Sequence, residues 1–176
     1  VIPGRNLVEL TKLLTDDEKF VEMHVFSNNV LFKSKDMLFQ SRLLNNSYPD
    51  LSKLIPDEYE LVLKLNLVEF YNTIDRVSLL TSEKDKNQVK MEINSDDIVL
   101  SSTSQEIGKI EETMHVSKSA DKNMVIAFSS KYMMDALRTL KCDEVEIKLN
   151  SEIKPIIIKN SEDDNLIQIV VPIKTF

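Results

Sequence analysis

The chain has 176 residues, 42% hydrophobic and 29% charged, with a formal net charge of −7, which fits one or two globular domains with a sizeable core. No stretch nears the ~20 apolar residues of a membrane helix and no secretory leader pattern opens the chain, so a cytoplasmic protein without a membrane partner is expected. With only Gly4 and Gly108 neither a P-loop nor a Gly-x-Gly-x-x-Gly nucleotide loop can be written, and Cys142 alone forms neither an internal disulfide nor a cysteine zinc cluster.

Residues 1–3 read as a strand end, with Pro3 and Gly4 turning into a helix over 5–14. Strands follow over 20–26, 29–33 and 37–44, joined by turns at Asn28-Asn29 and Lys35-Asp36. Periodicity then fails: 45–56 carries Pro49 and Pro56 and reads as a domain boundary. The division expected is 1–48, a linker over 49–57, and a domain over 58–176. That domain opens with a strand at 59–65, a helix at 67–81 and strands at 89–93, 98–101 and 109–117. An apolar strand at 124–128 leads into a helix capped by Ser129, with Met133, Ala136, Leu137 and Leu140 on one stripe. Strands at 144–149, 155–159 and 166–173 close the chain, the last two separated by the polar turn 160–165.

The order strand, helix, three strands recurs. Asn66-Leu67-Val68-Glu69-Phe70 repeats Asn6-Leu7-Val8-Glu9-Leu10 sixty residues earlier, and each is a capping signal. Sixty-three residues beyond Asn66 stands Ser129, and Phe70, Ile74 and Val77 then match Met133, Leu137 and Leu140. The fold expected is α+β, repeated β-α-β-β-β units with helices on one side of continuous antiparallel sheets. Units two and three form one domain. The first is a half-domain whose twin is expected before Val1, and a start at Val1 rather than Met suggests a fragment.

A net charge of −7 argues against nucleic acid, because binding a polyanion needs Lys and Arg. The helices differ. Arg5, Lys12, Arg76, Lys131, Arg138 and Lys141 stand against Glu9, Glu69, Asp75 and Asp135, so the helices sum to +2 and the remainder to −9. Arg5 and Lys12 are seven residues apart, as are Lys131 and Arg138, so each pair shares the face opposite the apolar stripe. On charge alone, ordinary solvated helix faces are the plainer account.

No catalytic set emerges. His24 and His115 lie in alternating strand patterns, where a histidine is more often a surface group than a base. Asp96-Asp97 and Asp163-Asp164 lie in turns that favour Asp for local hydrogen bonds, without metal-ligand spacing. Cys142 beside Lys141 reads as a buried thiol. The chain is expected to be no enzyme, with no cofactor and no metal. A small hydrolase and a repeat-built interaction scaffold unrelated to DNA are the rival classes.

Several stretches together resemble a known family. Ile2-Pro3 before a Leu-rich helix, Ser47-Tyr48-Pro49-Asp50 running to Leu54-Ile55-Pro56, Arg76 through Leu79-Leu80-Thr81-Ser82-Glu83-Lys84, Leu137 through Leu140-Lys141-Cys142, and Val171-Pro172-Ile173-Lys174 resemble the bacterial DNA polymerase III beta sliding clamp family. The motifs run in order along the whole chain, which matches the second half of that family's middle domain and all of its last domain. The resemblance implies a processivity factor: two subunits close head to tail around duplex DNA, helices lining the hole and sheets outside. It implies sequence-independent DNA contacts from Arg5, Lys12, Arg76, Lys131, Arg138 and Lys141, since phosphate contacts carry no base information.

The resemblance also implies a groove for a short linear motif, roughly Gln-x-x-Leu-Phe, carried by DNA polymerase subunits, the clamp loader and repair factors. By position its wall is Pro49, Leu51, Lys53, Leu54, Ile153, Pro155, Ile169, Val171, Ile173 and Lys174. Burying a peptide Leu and Phe there would contribute about 1.5–3 kcal/mol each, although residues alternating at 169, 171 and 173 read equally as plain strand core. Lys53 and Lys174 stand where Arg is common and Pro155 where a small hydroxyl residue is common. Phe176 ends a slightly longer tail. Leu79, Leu80, Glu106, Glu111 and Glu112 would form this chain's side of the ring interface. The full-length form is then a homodimer and the present chain a monomer.

Overall fold

The computed structural model describes residues 1–15, 20–35, 37–45, 47–48, 50–163 and 165–174, leaving aside the side chains of 52 and 53. Asp36, Pro49, Asp164, Phe176 and the Lys53 side chain, all used in the expectations above, lie outside that description. The chain forms two compact units, Val1–Leu51 and Ser52–Phe176.

In the first unit α1 (Gly4–Leu13) packs on an antiparallel sheet of β1 (Glu22–Val25), β2 (Asn29–Ser34) and β3 (Met37–Arg42), in that order. Strand alternation puts Val30 and Phe32 on the helix side, where they meet Leu10, with Phe32 opposite Phe39. Pro3, not Asn6, caps α1: its carbonyl accepts from the N–H groups of Asn6 and Leu7. Asn6 lies inside the helix and donates from Nδ2 to Ser41 Oγ at 2.8 Å. The three cap positions Pro3, Asn66 and Ser129 are therefore spaced by sixty-three residues each time. The sixty-residue match of Asn-Leu-Val-Glu is thus one helical turn out of structural register.

The second unit contains β4 (Leu61–Asn66), α2 (Leu67–Ser78), β5 (Gln88–Ile93), β6 (Asp97–Ser104) and β7 (Gly108–His115). A two-residue β8 (Ser117–Lys118) follows, then β9 (Met124–Ser129), α3 (Ser130–Arg138), β10 (Glu144–Leu149), β11 (Ile156–Asn160) and β12 (Ile167–Val170). The α+β class and the strand-helix-three-strand repeat are as expected, and every strand pair is antiparallel. There are two sheets, ordered β12-β11-β10-β4-β8 and β7-β6-β5-β9. Each repeat therefore contributes its first strand to the other repeat's sheet. Leu61, Leu63 and Leu65 sit opposite Leu149, Ile147 and Val145, and Val89, Met91 and Ile93 opposite Phe128, Ile126 and Met124, all buried. The two helices lie against each other and bury Phe70, Ile74 and Val77 of α2 with Met133 and Leu137 of α3 in the same core.

The ends of the repeats depart from the expected strands. The strand expected over 109–117 stops at His115. Val116 N–H donates to Asp96, and β8 then pairs with the edge of β4 in the other sheet. The strand expected to reach residue 173 stops at Val170, and Ile173 N–H crosses to Ala127 O of β9 at 2.7 Å. In both repeats the chain leaves its own sheet for a free edge of the other, which satisfies backbone groups that an edge strand leaves open. Helix α2 ends at Ser78, so Leu79 and Leu80 follow it, and Lys141 lies beyond α3.

Two side-chain arrangements hold α2. Asn66 Oδ1 accepts from Glu69 N–H at 2.9 Å, whereas Ser129 makes no side-chain cap bond and α3 instead starts with Ser130 N–H donating to Asn87 O at 2.8 Å. Arg76 reaches β7 as a fork, Nε to Glu112 Oε1 at 2.8 Å and Nη2 to Oε2 at 2.6 Å. Those hydrogen bonds hold the Glu112 carboxyl below the usual glutamate range, against its partial burial.

Replacing Asn66 with Ala should lower the stability of the second unit by about 1 kcal/mol in urea unfolding; a loss within error of zero would remove the cap from the account of α2. The Arg76–Glu112 pair should be fully formed above the ordinary glutamate pKa and lost as pH falls through Glu112's depressed value, since the folded state there holds the carboxylate. In a carboxyl NMR titration Glu112 should titrate below an ordinary glutamate, and Arg76→Gln should move the midpoint back up. An unmoved midpoint would mean that Arg76 is not the cause.

Candidate functional site

An open depression of about 350 Å³ lies where the β9–α3 junction, the 83–87 turn and the C-terminal segment meet. Its lining comprises Glu83, Lys86, Asn87, Ser129, Lys131, Tyr132, Val171 and Ile173. Each part is locally fixed. Lys86 and Asn87 adopt φ of 57° and 51°, a left-handed turn closed by Asn87 N–H donating to Ser82 O at 2.8 Å. The hydrogen bond from Ile173 to β9 pins the C-terminal segment beside the start of α3. Tyr132 and Val171 remain 65% and 66% exposed, so large apolar surface stays open to a ligand.

Of the groove residues expected from the sequence, the structure brings Val171 and Ile173 together in this depression. Ile153 is 67% exposed and lines a different hollow with Glu60, Lys122, Met124 and Asn150. Pro155 is half-buried just before β11, and Ile169 sits within β12 opposite the buried Ile157. Lys174 is exposed, and Leu51 and Leu54 are exposed ends of a short 3-10 turn. Tyr132 went unnoticed in the sequence because it lies off the apolar stripe of α3. An aromatic on the polar side of an amphipathic helix was the available signal.

The basic candidates divide into two groups. Lys12 pairs with Glu9 at 2.8 Å, Arg76 with Glu112, and Arg138 with Asp135 at 2.9 Å. Arg138 also donates from Nε to the Tyr71 hydroxyl at 2.9 Å and lies 5.5 Å from the centre of that ring. Arg5, Lys131 and Lys141 are exposed, with no ion pair among the described residues.

The interface candidates include Leu79, 75% exposed, and the half-buried Leu80. Glu106 is exposed, Glu111 pairs with Lys109, and Glu112 is held by Arg76. Ile107, 74% exposed in the β6–β7 turn, is a further apolar group that the sequence reading passed over.

His115 faces Asp97 at 2.5 Å and His24 faces Glu22 at 3.2 Å, both on exposed strand positions. Burial, reinforced by Asp143, pushes the half-buried Cys142 thiol upward. Among the described residues no group of three or more His, Cys, Asp or Glu could hold a metal ion, and no helix is long and apolar enough to cross a membrane.

Residues 52–174 match the C-terminal domain of the DNA polymerase III beta subunit, and residues 1–50 match its central domain. The chain is 42% identical, over all 176 residues, to the beta sliding clamp of Staphylococcus aureus and 41% identical to that of Staphylococcus epidermidis. It spans 47% of the length of each, about half. The crystal structure of the Bacillus subtilis DNA polymerase sliding clamp superposes with a TM-score of 0.86 at 38% identity, covering 100% of this chain and 47% of that one. The beta chain of Streptococcus pneumoniae DNA polymerase III gives 0.86 at 29% identity, covering 99% and 47%. With both domain models matched in chain order, this chain belongs to the DNA polymerase III beta subunit family of sliding clamps.

Proposed function

We propose that the chain is the C-terminal half of a sliding clamp, a non-catalytic processivity factor that encircles duplex DNA in the cytoplasm and tethers polymerases. The observation that carries this is the 42% identity to a beta sliding clamp along the entire chain. Residues 1–48 would be the second half of the middle domain, 49–57 the linker and 58–176 the last domain. The scaffold alternative draws no support from these relatives.

The groove reading rests on the open apolar surface of Val171, Ile173 and Tyr132, beside which polymerase subunits, the clamp loader and repair factors would seat a Leu-Phe motif. Pro49, Leu51, Lys53, Leu54, Ile153, Pro155, Ile169 and Lys174 complete the proposed wall. For DNA we propose Arg5, Lys12, Arg76, Lys131, Arg138 and Lys141; Lys131 also lines the depression. Such contacts act through phosphate charge and hold no register, which sliding requires. Leu79, Leu80, Glu106, Glu111 and Glu112 would meet a second subunit.

In a chemical-shift titration with a Gln-Leu-x-Leu-Phe peptide, shifts should cluster on Tyr132, Val171 and Ile173, and Tyr132→Ala should weaken binding several-fold. Silence up to millimolar peptide would sink the groove. By light scattering the 176-residue chain should be monomeric, and a concentration-independent dimer would count against the assignment of Leu79 and Leu80 to a contact with a domain outside this chain.

A further inference from the structure

We propose that the depression beside Tyr132 prefers peptides with acidic residues flanking their apolar anchors. This rests on the groove reading above and adds the charge class of its ligand. The lining carries Lys86 and Lys131 against one carboxylate, Glu83, a local excess of positive charge in a chain of net −7. Neither lysine pairs with a carboxylate among the described residues. Lysines on the sheet surfaces of the second unit are matched: Lys64 with Glu144 and Glu146, Lys90 with Glu92, Lys148 with Glu146. The charge left over at this depression is therefore available to a ligand.

The two amines are also presented from fixed backbone. Lys86 projects from the left-handed turn whose N–H groups are bonded back to Ser82 and Glu83, and Lys131 from the first turn of α3, anchored through Ser130 to Asn87. Asn87 thus joins both elements, so the lysine stems arise from one braced corner around the apolar floor. At about 0.1 M salt the Debye length is ~10 Å, so a seated peptide responds to these groups more than to the distant acidic surface. Apolar anchors supply the bulk of the affinity, and the lysines discriminate among ligands that share them.

The test compares Asp-Gln-Leu-Ser-Leu-Phe-Asp with Asn-Gln-Leu-Ser-Leu-Phe-Asn, near-isosteric peptides, by chemical-shift titration of the 176-residue chain. The acidic peptide should bind about three- to fivefold tighter at 0.1 M salt, and the ratio should fall toward one at 1 M salt and in the Lys86→Gln, Lys131→Gln double variant. Unchanged amide spectra away from the depression would establish that the variant is folded. Equal affinities in the unaltered chain, or a ratio that survives both substitutions, would overturn the charge preference while leaving the groove standing. Absence of shifts with either peptide would overturn both.

Discussion

The second unit depends on an exchange of strands. β4 opens one repeat but hydrogen-bonds to β10 of the next, and β9 opens the second repeat but bonds to β5 of the first. Six apolar pairs line these two seams on the core side, and a slip of one residue would turn the whole set toward solvent, so register is strongly specified. Neither repeat can close its core alone. Phe70 and Met133 lie in the same buried cluster as residues of strands from both sheets.

The exchange also decides where chain ends and edges fall. Because β9 is an edge strand, its Ala127 carbonyl is open to the C-terminal segment, and the bond from Ile173 carries Val171 and Ile173 to the start of α3. The equivalent crossing in the other repeat places β8 on β4, but there Lys118 is drawn inward, with Nζ donating to Asn94 O at 2.6 Å and its side chain almost fully buried. One topological step repeated twice thus yields a polar lysine brace beside β4 and an apolar pair, Val171 and Ile173, beside β9. The difference lies in side chains: serines, lysine and alanine over 117–120, valine, proline and isoleucine over 171–173.

Local periodicity made most of the fold legible. The stripes of α2 and α3 and the alternation of β10 follow from side chains that face one way at intervals of 3.6 or 2 residues, and burial agrees with them. What sequence patterns could not reveal was long-range: the division of strands between two sheets, the crossings after His115 and Val170, and the three-residue offset between the Asn-Leu-Val-Glu match and the true helix starts. A cap signal at Asn6 was offset by Pro3, whose fixed φ and carbonyl start the helix earlier. The depression was half legible. Val171 and Ile173 stood out as alternating apolar residues, whereas Tyr132, Lys86 and Asn87 come from elements that no local pattern connects with the C-terminus.

The charge pattern bears on function more through its residues than through its sum. With Lys141 beyond α3, the observed helices carry five basic residues against four acidic ones, a sum of +1 rather than +2, and Lys12, Arg76 and Arg138 each lie against a carboxylate, two of them within their own helix. Exposed pairs of this kind are worth little to stability. Their larger effect is to hold long side chains near one geometry while keeping local charge low. The fork of Arg76 on Glu112 is the extreme case, joining a residue proposed to face DNA with one proposed to face a second subunit.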